Sequence, residues 1–241
     1  MNTLYVVGFG PGKKEYMTEQ AIAALEQAEV IVGYTTYVNL IKEYFPGKTY
    51  EVTAMRKEVE RCQQAIDLAQ AGRDVAMISS GDSGIYGMAG IIYQLAEGRD
   101  IRIEVVPGVT AASMAAAVLG APLMHDFAVI SLSDLMTPLD LIMKRVRCAA
   151  AADMIICLYN PKSKGRPDYL AQAACLILEE QKKDLPVGIV RNAGREGQEV
   201  QLTTLSAIEE ATVDMLSIVI IGNSRTYVRH RRMITPRGYQ L

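Results

Sequence analysis

The chain has 241 residues, half of them hydrophobic and 22% charged, with a formal net charge of −2. That is enough apolar material for one large core or two small ones, and the weak negative charge argues against a general affinity for nucleic acid. With no tryptophan and three phenylalanines, aromatic platforms for stacking single-stranded bases are scarce as well.

Strand-like and helix-like patterns alternate from the start. A strand over 3–8 leads to a helix over 18–28, which Thr18 can cap and which turns Ile22 and Leu25 inward. Val30-Ile31-Val32 reads as a short buried strand, and the helix that follows over 56–71 is stopped by Gly72. Strand 74–79, helix 86–97 and strand 101–106 complete a β-α-β series, which implies a parallel sheet covered on both faces. Residues 107–125 predict a short alanine-rich helix and a connector, with Met114-Ala115-Ala116-Ala117 in the core. A second series begins with a strand at 127–132. It continues through helix 138–151, strand 153–158, helix 166–182 and strand 186–190. A turn at 194–197, an alternating strand over 199–205 and a buried strand at 218–221 follow, so the second sheet is expected to be mixed. The reading is an α/β protein of two lobes, residues 1–115 and 116–241, the first with a mostly parallel sheet.

Cys62, Cys148, Cys157 and Cys175 form no C-x-x-C pair and lie in apolar or helical runs, which predicts reduced, packed thiols. His125 and His230 lack metal-ligand spacing, so no metal is expected. Glycines interrupt any apolar N-terminal run, and the apolar stretch 111–123 is too short to span a bilayer. A cytoplasmic protein, associated with neither membrane nor nucleic acid, is expected.

Three glycine-rich turns follow apolar strands: Gly8-Phe9-Gly10-Pro11-Gly12, Ser79-Ser80-Gly81-Asp82-Ser83-Gly84-Ile85-Tyr86, and Pro107-Gly108-Val109-Thr110-Ala111. In open α/β sheets ligands bind beyond the carboxyl ends of strands. The first turn is not a dinucleotide fingerprint, because its third glycine comes one residue early and the next strand ends in Gly33-Tyr34 rather than an acid. It is not a phosphate loop either, since Lys14 stands where that motif has a hydroxyl. Alone it serves equally as a tight strand-to-helix connection. Asp82 between glycines is either a base or ligand contact, or a helix-capping Asx turn. The loop 191–197 is polar, and Arg225, Arg229, Arg231, Arg232 and Arg237 crowd the C-terminal part, as a carboxylate-binding or a solvated surface.

Taken in order, these turns resemble those of the tetrapyrrole methylases, enzymes that use S-adenosylmethionine on corrinoid and sirohaem precursors. The stretches 125–134, Tyr159-Asn160-Pro161-Lys162-Ser163, Gly194-Arg195-Glu196-Gly197 and 220–224 look like those of the members that methylate C17 of precorrin-3B or cobalt-factor III. The resemblance implies two α/β domains with the cofactor in the cleft between them, a homodimer, and C17 methylation coupled to ring contraction in cobalamin biosynthesis. By that analogy Pro11 lies at the cleft, and Ser80, Gly81, Asp82 and Ile85 meet the cofactor's amino-acid part. Thr110 and Ala111 lie beside its sulfonium, and Tyr159, Asn192 and Ala193 border its adenosine. Asp82 and Arg56 are the candidates for proton movements, and Arg56, Lys57, Ser131 and Arg195 for binding the tetrapyrrole. Ser80 and Ser83 replace a glycine and a proline found in many members. The alternatives are a methylase acting at another ring position, on RNA or on a modified histidine, a non-catalytic tetrapyrrole carrier, and a nicotinamide-dependent reductase.

Overall fold

A computed structural model describes residues 2–54, 57–163 and 165–240. The chain divides into two compact units, Met1–Ala111 and Ala112–Leu241. The first contains β1 (Thr3–Gly8), α1 (Glu19–Gln27), β2 (Val30–Tyr34), α2 (Thr35–Ile41), β3 (Thr49–Thr53), α3 (Glu58–Gln70), β4 (Val75–Ser79), α4 (Ala89–Leu95) and β5 (Arg102–Val106). Its sheet runs β3-β2-β4-β1-β5 and every pair is parallel.

Period-two alternation divides this sheet's side chains between two cores. Leu4, Val6, Val75 and Met77 pack with Cys62, Ile66 and Ile92 of α3 and α4. Val7, Ala76 and Ile78 pack with Ala21 and Leu25 of α1 and Val38 and Ile41 of α2. Both sheet faces are therefore covered, and the strands read as continuous apolar runs for that reason. Thr18 caps α1 as expected, its Oγ1 accepting from the Ala21 amide at 3.0 Å. Gly72 ends α3 at φ +89°, with Arg73 N–H donating to Leu68 O at 3.2 Å, the bond pattern of a left-handed helix stop.

Two elements here lie outside the sequence reading. Helix α2 is built on Thr35, Thr36 and Val38, β-branched residues of modest helix propensity. Burial of Val38 and Ile41 holds it. Strand β3 has no fully buried residue and sits at the sheet edge, so its apolar signal is weak.

Helix α5 (Ala111–Leu119) starts at the boundary of the units. The second unit continues with β6 (Gly120–Ala121), β7 (Phe127–Ser131), α6 (Leu139–Ala151), β8 (Ile155–Tyr159), α7 (Tyr169–Gln181), β9 (Pro186–Arg191), β10 (Glu199–Thr204), β11 (Ser217–Ile221), β12 (Tyr227–Arg229) and β13 (Arg232–Ile234). Its main sheet runs β10-β9-β11-β8-β7. Only β7 and β8 pair in parallel; the other three pairs are antiparallel, so the sheet is mixed as expected. Ile156, Leu158, Val187, Ile189 and Val219 form its core with Ile142 and Val146 of α6 and Ala173 and Ile177 of α7.

The arginine-rich segment is a hairpin of β12 and β13, for which the sequence gives no strand signal. His230 and Arg231 turn it at φ +49° and +58°. Such two-residue turns favour asparagine and glycine, so this one carries no sequence signal. β13 pairs with β6, and Arg232 Nη1 donates to Val118 O at 2.9 Å, so this arginine anchors the hairpin. The thiols also differ from expectation. Cys62 and Cys157 are buried, and burial pushes them up to about 11 and about 12. Cys148 and Cys175 are exposed, because they lie on outward faces of α6 and α7. No described helix is long and apolar enough to cross a membrane.

Candidate functional site

In a parallel sheet all strands end at one edge. Because β4, β1 and β5 are adjacent, the three glycine turns meet there. Gly10 and Gly81 exchange backbone hydrogen bonds of 3.0 and 2.8 Å. Both have positive φ, +67° and +72°, which glycine adopts without strain. A β-carbon on Gly108 would stand 2.2 Å from Gly81 O and 2.3 Å from Gly8 O, so these turns touch backbone to backbone.

Asp82 ties this knot. Its Oδ1 accepts from the amides of Gly84 at 2.8 Å and Ile85 at 3.2 Å, and its Oδ2 from Gly108 at 3.0 Å. The Asx turn is therefore present, and the same carboxylate also clamps the third turn. Ser83 adds a second tie: fully buried, it donates to Val106 O at 3.1 Å. Ile85 and Tyr86 follow with 41% and 54% exposure, large apolar surface beside the knot. A β-carbon on Gly81 would stand 3.8 Å from Thr110 Cα and from Ala111 N. Its absence leaves a cradle over those two residues. Lys57, at the start of α3, is exposed and paired with Glu60 at 2.5 Å. Arg56 lies outside the described residues.

In the second unit β11 runs antiparallel to both β8 and β9, so β7, β8 and β9 end at one edge. Ser131, Tyr159, Asn192 and Ala193 all lie at that edge. Tyr159 Oη accepts from the Ala112 amide at 2.9 Å, in the first turn of α5. Asn160 Nδ2 donates to Ser131 Oγ at 2.9 Å, linking the ends of β8 and β7. Asn192, at φ +51°, donates its amide to Leu216 O at 3.1 Å and accepts from the Arg195 amide at 2.9 Å.

A second network at this edge was missed from sequence. The largely buried Arg166 donates to Leu132 O at 3.0 Å and to Ser163 Oγ at 3.1 Å, lies 3.8 Å from Asp134, and reaches Met215 Sδ at 3.7 Å. Tyr169 Oη donates to Asp134 at 2.8 Å, which pushes the tyrosine up. Its only sequence signal is an arginine in a polar loop, since its partners are dispersed from residue 132 to 215. Among the described residues no cluster of histidine, cysteine and carboxylate side chains could hold a metal.

Asp214 ties the Asn192 loop from behind. Burial alone would push it up, but hydrogen bonds from Arg191 at 2.7 Å, the Leu216 amide and Ser217 outweigh burial and hold it below the usual carboxylate range. A depressed folded-state value adds stability above the unfolded value, near 4, which is lost as pH falls through the folded value. Asp214→Asn is therefore expected to lower stability at pH 7 by about 1 kcal/mol, discounted for its partial exposure. It also flattens the acid limb of a denaturation-versus-pH profile. An unchanged acid limb would contradict this role.

The sequence model of the family described as Tetrapyrrole (Corrin/Porphyrin) Methylases matches residues 3–209. A Salmonella typhimurium protein named probable cobalt-factor III C(17)-methyltransferase is 52% identical over 99% of this chain and 100% of its own length. A Sinorhizobium protein named precorrin-3B C(17)-methyltransferase is 37% identical over 98% of this chain and 97% of its own. A solved structure described as the methyltransferase CobJ superposes with a TM-score of 0.90 at 35% identity, covering 98% of this chain and 100% of that one. With the family's model matching residues 3–209 and relatives matching over nearly the whole length, the chain belongs to the tetrapyrrole methylases.

Proposed function

We propose that this protein transfers a methyl group from S-adenosylmethionine to C17 of cobalt-factor III, with associated ring contraction, in cobalamin biosynthesis. The observation that carries this reading is the end-to-end 52% identity to the Salmonella protein. The same comparison favours the cobalt-containing substrate, since identity to the protein named for precorrin-3B is 37%. The reading takes the protein as a cytoplasmic homodimer, which light scattering tests.

The residues suit the cofactor. The cradle above Thr110 and Ala111 is where a β-carbon on Gly81 would otherwise project. In the first unit Pro11, Ser80, Gly81, Asp82 and Ile85 are assigned to that end, and Thr110 and Ala111 to the sulfonium. In the second unit Tyr159, Asn192 and Ala193 are assigned to the adenosine. When bound, the cofactor supplies an electrophilic methyl group, which passes to carbon as its bond to sulfur breaks and the sulfonium becomes a thioether. The protein's contribution is alignment. A rigid, backbone-tied knot fixes the direction of attack, and such positioning lowers the entropic part of a barrier. Asp82, with three amides on its oxygens, holds the knot in shape. Ser131, Arg195, Lys57 and Arg56 are assigned to the tetrapyrrole, whose peripheral carboxylates suit the cations among them.

Calorimetric titration with S-adenosylhomocysteine, with NAD as control, tests the cofactor reading. Saturable binding of one S-adenosylhomocysteine per chain and none of NAD is expected. Incubation with cobalt-factor III and S-adenosylmethionine should then give a product heavier by one methyl group. Folded protein that does not bind S-adenosylhomocysteine would overturn the proposal. Binding of the tetrapyrrole without consumption of the donor would favour a carrier.

A further inference from the structure

The second unit exposes four large apolar side chains at the edge that holds Ser131, Tyr159 and Asn192. Leu135 is 66% exposed, Met136 94%, Met215 46% and Leu216 51%. They come from two segments far apart in sequence, after β7 and before β11. The buried guanidinium of Arg166 joins those segments, bonding Leu132 O and facing Asp134 on one side and reaching Met215 Sδ on the other. Leu216 O in turn receives the Asn192 amide. The segments that carry these side chains are thus tied to each other by a largely buried arginine and, through Leu216, to Asn192 of the candidate site.

Isolated exposed leucines are ordinary, but clustered ones beside a site mark a contact surface. We propose that Leu135, Met136, Met215 and Leu216 form an apolar rim against which one face of the tetrapyrrole lies, and that Arg166 is the positioning residue that keeps its two halves in register. This rests on the tetrapyrrole reading given above. A macrocycle of this class has a flat apolar face and a periphery of carboxylates. The rim suits the face, and Arg195, three residues beyond Asn192, suits the periphery. Met136, 94% exposed, has a flexible, polarizable thioether that adapts to an irregular ring surface, whereas the Met215 sulfur is engaged by Arg166.

The test is the double variant Leu135→Ser/Met136→Ser, with Arg166→Lys as its companion. Both positions of the double variant are exposed, so folding and melting temperature should hold. With no tryptophan in the chain, binding is read from the absorbance of cobalt-factor III titrated into protein loaded with S-adenosylhomocysteine. Each apolar side chain covered by the ring is worth about tenfold in affinity. The double variant should therefore bind the tetrapyrrole about tenfold to a hundredfold more weakly. Its affinity for S-adenosylhomocysteine should stay within twofold, with KM raised and kcat little changed. Arg166→Lys keeps the charge and loses the fork, so it should raise the same KM at unchanged oligomeric state. Unaltered tetrapyrrole affinity in the double variant would overturn the rim. So would a shift from dimer to monomer, which would make this patch an interface between copies. Failure of the unsubstituted protein to bind S-adenosylhomocysteine would remove the methylase reading alone, because the absorbance titration, run without that ligand, still reads the rim.

Discussion

Replacing Gly108 by alanine will unfold the meeting point of the three turns. The added methyl carbon would stand 2.2 Å from Gly81 O and 2.3 Å from Gly8 O, distances that require backbone to move. Overpacking commonly costs 1–3 kcal/mol where side chains can yield. Here the neighbours are main chain already fixed by the Gly10–Gly81 bridge and the Asp82 clamp. A loss of about 3 kcal/mol or more is expected, a fall in melting temperature of about 6–12 °C for a chain of this size. Binding of S-adenosylhomocysteine should vanish or drop by more than tenfold. Gly90→Ala is the matched control. That glycine lies in α4 with nothing within 4 Å of the added carbon, and alanine there should stabilise by up to about 1 kcal/mol. If Gly108→Ala melted and bound ligand like the unsubstituted protein, the turns would not meet as described.

The contrast between those glycines explains how much was legible in the sequence. The three turns stood out because each follows a strong apolar strand, and their order carried the family resemblance. Adjacency of β4, β1 and β5 then made them one knot, which no single turn reveals. Thr18 and Gly72 were legible because caps act within one turn of helix. Helix α2 and strand β3 were not, because tertiary burial of Val38 and Ile41 overrides weak propensity in one, and an edge position dilutes the apolar pattern in the other. The hairpin at His230 and Arg231 turns without the residues that announce such turns. Arg166 was invisible for a different reason: its importance lies in partners drawn from three separate loops, and one sequence does not show which loops share an edge. Arg56 was readable only as a basic residue between β3 and α3.

Asp82 is where sequence and structure press on the same question, whether its carboxylate moves protons or holds backbone. Three amides occupy its two oxygens, one of them 26 residues away in sequence. The holding role predicts that Asp82→Ala removes the carboxylate that ties the three amides together and weakens S-adenosylhomocysteine binding by at least tenfold. Asp82→Asn should fall between. Its Oδ1 can still accept from Gly84 and Ile85, but an amide nitrogen then faces the Gly108 N–H, donor against donor. A fully buried donor left unsatisfied costs about 1–3 kcal/mol; Gly108 is half-buried, so the asparagine variant should melt lower by the small end of that range and bind the cofactor more weakly. Its kcat at saturating cofactor should change little. A general base behaves in the opposite way. Losing it lowers kcat by about 10²–10⁴ while ligand affinity stays intact. Measuring stability, S-adenosylhomocysteine affinity and kcat on the one asparagine variant therefore separates the roles. Intact affinity with a collapsed kcat would make Asp82 a catalytic residue and refute the clamp as its main function.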